Sequence, residues 1–94
     1  MAKFTVRVEL REATSSDYED LYEKMKLEGF SKFITTSKGD KYELPPAEYN
    51  FSSSSKSRGE VRDLAYKIAK SINSEPAVLV TESNGRSWIG LDDA

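Results

Sequence analysis

The residues best placed to do chemistry sit on one short stretch, Lys3–Arg11, which reads KFTVRVELR. Phe4, Val6, Val8 and Leu10 alternate with Thr5, Arg7, Glu9 and Arg11, the period of a β-strand with one buried and one polar face. The polar row joins a carboxylate, Glu9, to two guanidinium groups, Arg7 and Arg11. A carboxylate can take up a proton or hold a divalent ion, and a guanidinium can hold a phosphate. The plainer reading is a solvated cross-strand ion pair. Glu9 is the candidate catalytic residue, and no metal site is assigned. One carboxylate is a thin cage for magnesium, so a divalent cation stays open only as a cofactor helped by substrate oxygens, or by a second copy of Glu9 across a dimer.

Composition narrows the chemistry further. The 94 residues contain no cysteine and no histidine, which excludes disulfides, thiolate or imidazole metal sites, and Ser-His-Asp or Cys-His catalysis. Any base must be a carboxylate, a lysine, a tyrosine or a metal-bound water. The net charge is −2, which argues against bulk DNA binding; nucleic acid would have to meet a local basic patch. No apolar run approaches the roughly 18 residues of a membrane span, and the MAKFTV start carries no secretory h-region. A cytoplasmic protein without a membrane partner is expected.

Other candidates are scattered. Lys56 and Arg58 follow a serine-rich loop at the start of a helix, a place where anions can bind. Leu79 and Trp88 fall on the outer side of the last apolar segment and suit a dimer contact, ordinary packing or, for Trp88, base stacking. No Walker loop, G-x-G-x-x-G or GXXG loop is present, and the third strand lacks the signature of RNA-recognition-motif proteins.

The elements that must position these groups follow in order. Ser16 and Glu19 form a capping-box pattern ahead of Tyr18, Leu21, Tyr22 and Met25, predicting a helix over 17–28 that stops at Gly29. Residues 30–36 are β-branched and aromatic, a second strand. Residues 41–44 extend again before Pro45-Pro46, either as the return of a small hairpin or as part of a long excursion. Residues 47–52 alternate as a third strand. Ser57 and Glu60 open a helix over 58–71 with Val61, Leu64, Ala65, Ile68 and Ile72 on its inner face. Residues 77–81 form an apolar strand, and Asn84-Gly85 predicts a hairpin returning over 86–91. The whole is read as a single α+β domain over 1–94, a ferredoxin-like βαββαβ sandwich with an extra C-terminal hairpin strand.

With these elements in place the chain resembles the small GhoS-type antitoxins, ferredoxin-like proteins similar in fold to the nucleases of CRISPR spacer acquisition. The resemblance rests on FTVRVEL leading into a helix with Tyr18, Leu21 and Met25. It continues through Gly29-Phe30-Ser31, the Gly39…Leu44-Pro45 segment, the aromatic third strand and Glu60-Val61-x-Asp63-Leu64, covering about residues 3–81. It implies an endoribonuclease that acts as an antitoxin by cutting the messenger RNA of its partner toxin. Glu9 would then correspond to the family's carboxylate at the end of the first strand, with glutamate in place of aspartate, and the first helix carries no arginine for a phosphate. Single-stranded RNA is the expected partner, with Arg7, Arg11, Lys56 and Arg58 as candidate phosphate contacts. The alternative is a non-enzymatic homodimeric interaction module joined through the open sheet face or the last hairpin, with Leu79 and Trp88 at the interface.

Overall fold

The computed structural model describes residues 1–94. Its elements are β1 (Ala2–Glu9), α1 (Ser15–Leu27), β2 (Phe33–Thr35), β3 (Lys41–Glu43), β4 (Glu48–Ser53), α2 (Arg58–Lys70) and β5 (Ala77–Ser83). β1 is the central strand, flanked by antiparallel β4 and β5. Ser31 and Asn50 exchange two backbone hydrogen bonds of 2.8 and 2.7 Å, attaching the start of the β2–β3 hairpin to the far edge of β4. The spatial order β5-β1-β4-β2 is that of a ferredoxin-like sheet, with β3 added outside β2. The segment 41–44 is therefore the return of a hairpin.

The alternation of β1 is resolved as its sequence demands. Phe4, Val6 and Val8 are fully buried and meet Leu21 and Met25 of α1 and Val61, Ala65, Ile68 and Ala69 of α2 in one core. At its β4 side the core is aromatic: Phe30 stacks on Phe51 at 4.4 Å between centroids and meets Tyr49 edge-on at 6.5 Å. Gly29, at φ +94°, ends α1 and turns Phe30 inward. α2 starts at its expected cap, Ser57 with Glu60, whereas α1 is capped by Thr14 with Asp17, two residues earlier than the Ser16–Glu19 pair suggests.

Two expectations are corrected. The first strand ends at Glu9, because Glu12 takes a positive φ of 52° and turns the chain toward α1. The C-terminal hairpin is absent. After β5, the hydroxyl of Ser83 bonds both ends of the Gly85 peptide unit, and the chain crosses the open face of the sheet to its opposite side. There the peptide N–H of Glu43 donates to the carbonyl of Asp92 (2.9 Å) and that of Ala94 to Lys41 (3.1 Å). A return strand beside β5 would have left Arg86 and Trp88 on the sheet's outer edge. In the observed path Arg86 finds three acceptors and Trp88 an aromatic neighbour, Tyr42, at 5.5 Å.

Candidate functional site

The register fixes what shares the open face. Arg7 lies between Glu48 and Leu79, Thr5 between Asn50 and Thr81, Lys3 between Ser52 and Ser83, and Glu9 beside Ala77. Arg7 and Glu9 therefore do project from neighbouring positions at one end of the central strand. Arg7 approaches the carboxylate of Glu48 at 3.7 Å with half of its side chain exposed, a pair worth at most about 1 kcal/mol. A phosphate could displace it at little expense.

Beside this end of β1 opens a cleft of about 820 Å³. It is lined by Arg7 and Glu9 of β1, Tyr18, Glu19 and Tyr22 of α1, Lys32 and Phe33 at the start of β2, the turn Glu43–Ala47, Tyr49, and Gly90–Asp92 of the crossing segment. The turn is built by Pro46 followed by Ala47 at φ +71°, closed by the peptide N–H of Glu48 donating to the carbonyl of Pro45 at 3.2 Å. Proline suits the second position of such a turn, and a positive φ at the third usually calls for glycine.

Sequence reasoning passed over two groups in this cleft. The ammonium of Lys32 donates to the carbonyls of Pro45 (3.3 Å) and Glu48 (3.0 Å) and sits 4.9 Å from the Tyr49 ring centroid. Burial pulls its pKa below the ordinary lysine value, against the opposing pull of Glu43 and Glu48. The Tyr49 phenol moves the other way: burial above all, with repulsion from the Tyr22 and Tyr18 phenols when charged, pushes it up to about 12. At neutral pH Tyr49 is thus an uncharged phenol and cannot serve as a base. Glu9 is left as the exposed carboxylate at the β1 end of the site. The aromatic alternation of β4 carried a signal for Tyr49; nothing in the local pattern of Ser31-Lys32-Phe33 marked Lys32.

The remaining candidates do not gather here. Arg11, beyond the end of β1, donates from Nε to the carbonyl of Glu75 at 3.0 Å, while its peptide unit is bracketed by the Asn73 amide. It ties the β1 end to the α2–β5 loop and leaves the row of Arg7 and Glu9. Lys56 and Arg58 lie at the opposite end of β1, because β4 runs antiparallel and delivers α2 beside Ala2. Leu79 is 65% exposed on the open face, whereas Trp88 has crossed to Tyr42, so the two do not form one patch. No group of three carboxylates converges on a point that could hold a metal ion, and no helix is long and apolar enough to cross a membrane.

A search of curated proteins gives no match to this chain. The family model described as Endoribonuclease GhoS matches residues 1–84, which include β1 through β5, Glu9, Lys32 and Tyr49. The chain belongs to the GhoS endoribonuclease family.

Proposed function

We propose that this protein is an antitoxin-type endoribonuclease that cuts single-stranded messenger RNA of a toxin in the cleft at the end of β1. Family membership over residues 1–84 carries the reading, and the site geometry is consistent with it. Arg7 holds the scissile phosphate after giving up its weak pair with Glu48. Glu9 removes the proton of the adjacent ribose 2′-hydroxyl, whose oxygen attacks phosphorus. The phosphorus–O5′ bond breaks, and the departing oxygen takes a proton from water. The products are a 2′,3′-cyclic phosphate and a 5′-hydroxyl end. Phe33, Tyr18 and Tyr22 offer faces on which a splayed base can stack. A magnesium ion could be held by Glu9 only together with substrate oxygens.

The test is cleavage of single-stranded transcripts by purified protein, with and without magnesium, and identification of the product ends. Glu9→Gln should lower the cleavage rate by about 10²–10⁴-fold, the range of general-base contributions, while leaving RNA binding in place. Cleavage by Glu9→Gln at the wild-type rate would overturn the site assignment. A homodimeric interaction module is a second reading, favoured by the exposure of Leu79 opposite Arg7. It requires a concentration-dependent mass in light scattering that Leu79→Ala abolishes.

A further inference from the structure

The path of the crossing segment places one cation where no strand of the sheet supplies one. The guanidinium of Arg86 lies over the middle of the open face. Its Nη2 donates to the Asn50 side-chain carbonyl (2.9 Å), the Thr5 hydroxyl (3.1 Å) and the Phe4 carbonyl (3.3 Å), and its Nε donates to the Thr5 hydroxyl (3.2 Å). All three partners are neutral. The ion pairs of the chain are Arg7–Glu48 and Arg62–Asp63, so Arg86 has no carboxylate beside it. Here a half-buried charge is oriented by neutral acceptors and left unneutralised, and burial alone lowers its pKa.

Its surroundings continue the pattern. Lys3 stands two residues before Thr5 on β1 and Arg7 two residues after it, so three cations follow the strand at steps of about 6.7 Å. Beside them the open face presents the hydroxyls of Ser52 and Thr81, suited to phosphate and sugar oxygens, while Thr5, Asn50 and Ser83 are engaged by Arg86 and Gly85. On the open face of β1, β4 and β5 the acidic groups, Glu9 and Glu48, lie at the cleft end, where Glu19, Glu43 and Asp92 add to them. On a chain of net charge −2 this is a local reversal of sign leading toward the cleft.

We propose that Arg86 is a phosphate-binding residue which, with Lys3 and Arg7, forms a track along β1 for the backbone of single-stranded RNA. The proposal rests on the ribonuclease reading above and adds to it a residue outside the family match, which ends at residue 84. RNA laid on this track enters the cleft at Arg7 and Glu9, with Arg86 and Lys3 holding nucleotides on one side of the cut.

The test is binding of a labelled 2′-O-methyl oligouridylate, which cannot undergo 2′-hydroxyl attack, measured by fluorescence anisotropy over a series of salt concentrations. Each phosphate neutralised on a single strand contributes about 0.7 to the slope of log K against log salt. Arg86→Ala should make that slope shallower by about 0.7, Arg86→Lys should retain it, and Lys3→Ala, at an exposed side chain, should match Arg86→Ala. An unchanged slope in Arg86→Ala alongside a lowered melting temperature would show Arg86 to be a structural tie, and would overturn the proposal while leaving the ribonuclease reading intact. A wild-type protein that binds no RNA would overturn both.

Discussion

Tyr49 offers a quantitative check on the description of the cleft, because its ionisation is linked to folding. The ring is 3% exposed, and its pKa rises from 10.0 to about 12. The unfolded chain therefore releases this proton near pH 10 while the folded chain keeps it until about pH 12. Between those values the unfolded state binds fewer protons, so stability falls as pH rises. Below about pH 10 the group contributes no pH dependence. At 1.36 kcal/mol per pKa unit, the loss reaches about 1.4 kcal/mol at pH 11 and approaches about 2–3 kcal/mol beyond pH 12. Lys32 works in the opposite sense, since its lowered pKa makes stability rise with pH up to the ordinary lysine value. Comparing wild type with Tyr49→Phe removes that contribution, because Phe keeps the ring that Lys32 and Phe30 touch. Urea unfolding of both proteins at about pH 8 and about pH 11 should show the wild type losing about 1.4 kcal/mol more than the variant over that interval. Parallel stability curves would refute the burial of the phenol and, with it, the exclusion of Tyr49 as a base in the cleft.

Two further outcomes probe the framework. Phe30→Ala empties the position stacked on Phe51 and edge-on to Tyr49; denaturant unfolding should show a loss of about 3–5 kcal/mol, a large part of the stability of a domain this small. Ser57→Ala removes the hydroxyl that accepts from the Glu60 peptide N–H at 3.2 Å and should destabilise by about 1 kcal/mol in the same assay, without changing the RNA salt slope.

The parts of the fold legible in the sequence are those written in a period. β1 declared both of its faces through strict alternation, and α2 declared its start through Ser57 and Glu60 and its inner face through Val61, Ala65 and Ile68. The α1 cap was displaced because Thr14-Ser15-Ser16 offers three adjacent cap residues, and only the turn after Glu12 selects Thr14. The Asn84-Gly85 pair marked a place where the strand ends in a bend, but the hairpin turn expected there does not form. A local turn signal cannot weigh a return beside β5 against acceptors on Thr5 and Asn50, residues distant in sequence. The same limit hid the site. Arg7 and Glu9 could be placed side by side from alternation alone, whereas Lys32, Tyr49 and Arg86 reach their positions through tertiary contacts. Arg11 was misplaced for a related reason, since alternation continues in the sequence one step past the point where the backbone leaves the sheet.

The central position of the N-terminal strand also governs how the chain acquires its shape. β1 pairs Ala2 with Ser53 and Lys3 with Ser83, so the first strand waits for the last before its sheet is complete. Such distant pairings impose loop-closure entropy early and place the chain toward the slower part of the two-state range for its size. During synthesis the nascent β1 remains a bare template with two unsatisfied edges until β4 and then β5 leave the ribosome. A product truncated before residue 77 would keep one of those edges open and would be a substrate for chaperones and proteases rather than a smaller working domain.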